Sequence, residues 1–182
     1  MLDWIQNTDW VVLHWIQDAL QCSLLDFLMP KITLLGNAGA IWFIAAAIMA
    51  ASKKYRKYGL TLFAALAAGA LIGNICLKNL IARSRPCWQE AVPLLIQNPA
   101  DYPFPSGHTL CSIIGAFILT AANRKFGLAA IPLAILIGLS RLYLFVHFPS
   151  DVLASVAIGI SIGTGTVLLS SRIAESKKPQ SS

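Results

Sequence analysis

The 182-residue chain is 57% hydrophobic and only 12% charged, with a formal net charge of +6 and a mean hydropathy of +0.67. That balance excludes an ordinary soluble domain and points to an integral membrane protein whose first partner is the lipid bilayer. No nucleic-acid partner is expected.

Residues 1–29 read as an amphipathic helix. Trp4, Ile5, Thr8, Val11, Val12, Trp15, Ile16, Ala19 and Leu20 recur at helical spacing, while Asp3, Gln6, Asn7, His14, Gln17, Asp18 and Gln21 take the other face. The tryptophans suit the headgroup zone, so the segment is expected to lie along the membrane surface. A helix packed on its own bundle is the alternative. No cleavable leader is expected, because the N-terminus lacks a basic region followed by a compact apolar core and a small-residue cleavage site.

Five runs without charge follow, at 32–52, 58–77, 109–123, 126–140 and 152–171. A spanning helix needs ~20 apolar residues. The third run reaches that length only if it begins near Ser106, and the fourth only if it continues past Arg141 to about Val146. The expected fold is therefore all-α: a single-domain bundle over 1–182, with about five transmembrane helices after the interfacial segment. Nine of the fourteen Lys and Arg fall at Lys53, Lys54, Arg56, Lys57, Arg124, Lys125, Arg172, Lys177 and Lys178, in connections that five helices place on one side. That side is assigned to the cytoplasm. Cys22, Cys76, Cys87 and Cys111 show no metal-ligand spacing and read as small hydrophobes.

The opposite side keeps Lys31, Lys78, Arg83, Arg85 and Arg141, against the usual depletion of positive charge in translocated loops. Lys78 and Arg85 are seven apart, near two helical turns, and are expected to point the same way from the outer end of the second helix, which Pro86 terminates. Arg83 or Lys31 taken alone reads as a charge snorkelling to the interface. In Phe104-Pro105-Ser106-Gly107-His108, Pro105 pre-sets a first helical turn, Ser106 offers a hydroxyl and Gly107 admits close backbone approach. With the free N–H groups of the helix start they make an anion site, and His108 stands beside it. In Ser140-Arg141 and His147 to Asp151, an arginine inside the membrane calls for an anion. A four-residue spacing lets Asp151 bond His147 across one helical turn, fixing its tautomer and strengthening the other ring nitrogen as a nucleophile.

Together KNLIARSRP, PSGH and SRLYLFVHFPSD resemble, in order and spacing, the three-part signature of the type 2 phosphatidic acid phosphatase superfamily. The resemblance covers about residues 77–151 and the helices around them, leaving out the first 30. It implies a phosphate clamp of Lys78, Arg85 and Arg141 completed by Ser106 and Gly107. It also implies a nucleophile at His147 oriented by Asp151, and an acid at His108 that protonates the leaving oxygen. Such a chain would be a membrane lipid phosphatase working through a phosphohistidine. By the same resemblance, undecaprenyl diphosphate is favoured as substrate over phosphatidylglycerophosphate, phosphatidate or a lipid A phosphate.

No metal or other cofactor is expected, since phosphoryl transfer is mainly positioning and charge stabilisation, and Asp151 reads as the sole carboxylate of the helical core. The competing class is an anion or lipid transporter or a non-catalytic lipid-binding protein, although neither paired repeats nor broken midplane helices are evident. Soluble haloperoxidases of the superfamily are disfavoured by the five apolar runs.

Overall fold

A computed structural model describes residues 2–176. The described residues are helical with irregular connections and contain no strand. Helices α1 (Leu2–Leu20), α2 (Ser23–Leu35), α3 (Ala40–Ala51), α4 (Arg56–Gly69), α5 (Lys78–Ile81), α6 (Pro86–Gln89), α7 (Gly107–Ala122), α8 (Arg124–Tyr143) and α9 (Pro149–Ser176) follow in chain order.

The apolar segment Arg56–Gln89 and the helices Arg124–Tyr143 and Pro149–Ile173 are long and apolar enough to cross a membrane. A fourth span is available if Ser23–Leu35 and Asn37–Ala51, bent by 43°, act as one. Helix α7 carries the third predicted run but has 16 residues, a rise of ~24 Å against a hydrocarbon core of ~30 Å. Its position explains how a short helix is accommodated: α7 packs against α4, α8 and α9 and buries Leu110, Ile114 and Ile118. Protein rather than lipid surrounds much of it.

Small residues bring these helices together, as membrane packing requires. A Cβ at Gly59 of α4 would lie 2.3 Å from the Ala50 backbone nitrogen of α3, so the two backbones touch. On α7, Gly115 leaves room for the Trp42 ring, whose indole N–H donates to Ser112 Oγ at 3.0 Å.

Three breaks depart from the sequence reading. The run at 32–52 is not one helix: α2 ends at Leu35, and a short 3-10 turn at Asn37–Gly39 has Ala38 and Gly39 at φ 50° and 69° before α3 begins. Left-handed dihedrals at two successive residues cannot continue a right-handed helix. The run at 58–77 passes into a π-helical stretch at Ala70–Leu77 and then α5. Finally, Pro86 does not end that helix. Ala82, at φ 45°, ends it, and Pro86 opens α6 at the first helical position, where a missing N–H costs nothing.

Helix α1 packs on its own bundle, the alternative left open by the sequence. Leu13 and Ile16 are buried with Leu142, Phe145 and Phe148, and Trp10 stands edge-on to Phe148 with centroids 4.9 Å apart. Trp4, Val11 and Trp15 remain exposed on the outer side.

Candidate active site

The three motifs converge on a cavity of about 1140 Å³, lined by Lys78, Arg85, Gly107, His108, Arg141 and His147 together with the α2–α3 break and the loop at 96–102. Ser106 and Asp151 are fully buried just behind this lining.

Lys78 sits at the start of α5, and Arg85 lies past the helix end as the N-cap of α6. They do not share a helix face as predicted. Asp101 unites them instead: its carboxylate accepts from Lys78 Nζ and, at 2.8 Å, from Arg85 Nη2. Arg85 Nε also donates to the Asp101 carbonyl at 2.7 Å. Partial burial alone would raise the Asp101 pKa, but the two cations override it and hold the carboxyl at about 2. Arg141 donates to Thr33 Oγ1 at 2.6 Å, and its Nε is buried with no partner among the described residues.

His147 lies in the turn between α8 and α9, almost wholly buried. Its Nε2 is 3.3 Å from Arg85 Nη1. A guanidinium only donates, so Nε2 is the bare, accepting nitrogen and the ring proton belongs on Nδ1. Burial, reinforced by Arg85, Arg141 and Lys78, holds the His147 pKa well below the ordinary histidine range, which leaves the ring neutral. Nδ1 stands 3.6 Å from Asp151 Oδ2, too far for a hydrogen bond, and has no hydrogen-bond partner among the described residues. The predicted bond across a helical turn is absent because α9 starts at Pro149, leaving His147 outside it. Asp151 Oδ2 instead accepts the Phe148 N–H at 2.9 Å, capping the helix start.

Ser106 is the N-cap of α7, its hydroxyl accepting from Thr109 Oγ1 at 3.0 Å. The helix therefore begins at Gly107, and Pro105 lies outside it. Gly107 packs closely, since a Cβ there would lie 3.0 Å from Asn74 Oδ1 in the π-helical stretch and the amide would have to give way. His108 Nε2 is 2.8 Å from Asn37 Oδ1, in the α2–α3 break.

Residues other than the fixed positions of the motifs complete the site. Arg83 is no snorkelling charge: its Nη1 donates to Asp151 Oδ1 and Ser150 Oγ, both at 2.7 Å, and its Nη2 to Gln6 Oε1 at 2.8 Å and Asp9 Oδ2 at 2.6 Å. Asp9 is also buried, so Asp151 is not the sole carboxylate of the core. The Gly36-Asn37-Ala38-Gly39 cluster was the available signal for Asn37, as a breaker inside an apolar run. No local signal marked Asp9.

Comparison with known proteins gives the family. The family model of the PAP2 superfamily matches residues 57–174. The chain belongs to that superfamily. Relatives of this PAP2 protein include the undecaprenyl-diphosphatase of Sulfolobus acidocaldarius, 32% identical over 141 residues that cover 76% of this chain and 68% of the relative. A second is the undecaprenyl-diphosphatase of Bacillus subtilis, 30% identical over 142 residues that cover 78% and 72%. The fold is shared with the transmembrane PAP2-type phosphatidylglycerolphosphate phosphatase of Bacillus subtilis, with a TM-score of 0.74 at 24% identity over 97% of this chain and 89% of that one. This PAP2 protein is a multi-pass membrane lipid phosphatase.

Proposed function

We propose that the protein hydrolyses undecaprenyl diphosphate at the outer surface of the cytoplasmic membrane, through a phosphohistidine at His147. The observation that carries the mechanism is the unprotonated Nε2 of a buried neutral histidine, held against Arg85 in the lining of a cavity shared with Lys78 and Arg141. The names of the two relatives support the substrate class.

In this reading the terminal phosphate displaces the Asp101 carboxylate from Lys78 and Arg85 and takes the free Nε of Arg141. The first-turn N–H groups of α7 add to the cradle, with Gly107 admitting close approach and Ser106 holding the helix start from behind. His147 Nε2 attacks phosphorus in line, a nitrogen–phosphorus bond forms, and the bond from phosphorus to the bridging oxygen breaks. His108, taking up a proton as the negative phosphate offsets the cations around it, donates that proton to the oxygen, which departs as the lipid monophosphate. His108 then takes a proton from water as the water attacks the phosphohistidine, releasing inorganic phosphate and restoring His147. Positive charge fixed before reaction stabilises the transition state, and Asp151 stabilises the charge that develops on the ring. No metal enters any step. The outward orientation rests on the clustered cations at Lys53, Lys54, Arg56, Lys57, Arg124 and Lys125. With Trp4, Val11 and Trp15 exposed, α1 lies at the same surface, its outer face among the headgroups.

The test is inorganic phosphate release by the purified protein in detergent, across undecaprenyl diphosphate, phosphatidylglycerophosphate, phosphatidate and a lipid A phosphate. Fastest turnover of undecaprenyl diphosphate is expected. Preference for another member would overturn the substrate assignment, and release from none would favour the carrier or binding protein.

A further inference from the structure

A buried carboxylate on an amphipathic surface helix needs a reason. Asp9 is 3% exposed, whereas Asp3 and Asp18 of the same helix are exposed. Desolvating a carboxylate is tolerated only with full pairing, and both oxygens of Asp9 are committed. Oδ1 accepts the Ser150 backbone N–H at 2.8 Å, while Oδ2 accepts the Ser150 hydroxyl and Arg83 Nη2. Every partner belongs to the layer behind the nucleophile. Ser150 is in the first turn of α9, and Arg83 is the group that holds Asp151 Oδ1. The Arg83 guanidinium also stacks over Phe148, 4.1 Å from the ring centroid. A hydrogen-bonded relay thus runs from α1 through Arg83 to Asp151, whose Oδ2 stands 3.6 Å from His147 Nδ1, beyond hydrogen-bond reach.

We propose that Asp9 is a positioning residue of the active site, acting through Arg83 and Ser150 to set the placement and effective charge of the Asp151 carboxylate behind His147. The inference rests on the assignment of His147 as nucleophile. One guanidinium is shared by two carboxylates. Without Asp9, Arg83 has Asp151 as its sole carboxylate partner, so it neutralises more of the charge that should stabilise the imidazole ring as phosphorus is transferred. Arg83 also loses one of its two carboxylate anchors, keeping only the neutral Gln6 and Ser150 beside Asp151, and can shift, carrying Asp151 with it. Either consequence slows chemistry without touching the cations that line the phosphate cavity. Outer partners that orient metal ligands typically contribute ~10–100-fold in activity, and a loss of the same order is expected for a partner that orients the carboxylate behind a nucleophile.

The same bonds also fasten α1 to the bundle, so the experiment separates positioning from docking. Asp9→Asn, Arg83→Gln, the double variant, Leu13→Ala and His147→Ala are assayed for kcat and KM on the lipid phosphate of the above panel that is turned over fastest, and for thermal stability in the same detergent. Leu13 is fully buried in the contact between α1 and the bundle but makes no bond in the relay, so its truncation loosens docking alone.

The proposal expects Asp9→Asn to lower kcat about 10-fold or more at unchanged KM. Arg83→Gln should lower it similarly, and the double variant no further than the worse single, because the two act as one unit. Leu13→Ala should lose stability and keep kcat. Wild-type kcat in Asp9→Asn overturns the proposal. So does a rise in KM alone, or an equal kcat loss in Leu13→Ala. If His147→Ala is inactive while Asp9→Asn is fully active, only the relay fails; if His147→Ala is active, the site assignment beneath it fails as well.

Discussion

Replacing Asp101 by asparagine should tighten binding of phosphate. The Asp101 carboxylate occupies two of the three cations proposed to clamp the substrate, so a phosphate must first part those bonds. Charge-assisted hydrogen bonds contribute ~1.5–3 kcal/mol each where buried, but the Asp101 side chain is 58% exposed, and exposed ion pairs contribute ~1 kcal/mol or less. Two bonds at the lower figure give ~2 kcal/mol. The amide keeps one acceptor and restores part of that, which leaves a gain near 1.4 kcal/mol, or about tenfold in affinity. Inhibition of lipid phosphate hydrolysis by added inorganic phosphate provides the assay. The inhibition constant for Asp101→Asn should fall about tenfold, with the bond from Arg85 Nε to the backbone carbonyl still holding the loop. With its pKa at about 2, Asp101 stays ionised through the neutral range, so the gain should not vary with pH there. A constant that rises would show that Asp101 organises the cations for phosphate rather than competing with it, and would refute the reasoning.

Three further outcomes follow from the same structure. If His108 protonates the leaving oxygen, His108→Ala should lose ~100-fold or more on a phosphatidate, whose alkoxide leaving group is strongly basic, and much less on p-nitrophenyl phosphate; equal losses would mean a role in phosphate binding. Gly59→Ala should destabilise the protein by ~1–3 kcal/mol, read as a lower melting temperature in detergent, because the new Cβ meets the Ala50 backbone; an unchanged transition would mean that α3 and α4 separate freely. With native thiols controlled for, a cysteine at Asn98 should react with an impermeant maleimide in intact cells and one at Lys54 only after lysis; the reverse pattern would place the cavity on the cytoplasmic side.

The sequence was most informative where chemistry is written in fixed spacings. Lys78, Arg85, Gly107, His108, Arg141 and His147 line a single cavity, and each belongs to a motif recognisable along the chain. Helix termini were harder to read. Pro86 stands near both an end and a start, and the spacing alone does not say that it opens α6 or that α7 begins at Gly107, after the Ser106 cap, rather than at Pro105. The long-range partners were invisible because nothing local requires them. Asp9 meets Arg83 across 74 positions and Asn37 meets His108 across 71. The helical stripe of α1 was legible, but the helix divides its contacts between a buried edge at Asp9, Leu13 and Ile16 and an exposed face at Trp4, Val11 and Trp15. Periodicity identifies faces without saying which of them meets lipid.

In the proposed reaction, turnover passes through a covalent bond from phosphorus to His147. Purified protein is mixed with radiolabelled lipid phosphate, quenched rapidly in alkali and separated from lipid, since a phosphoramidate survives base and is lost in acid. Wild type should retain base-stable, acid-labile label and His147→Ala none, with activity of the wild type persisting in excess EDTA. Turnover by His147→Ala at the wild-type rate, or activity abolished by EDTA and restored by magnesium, would contradict the account.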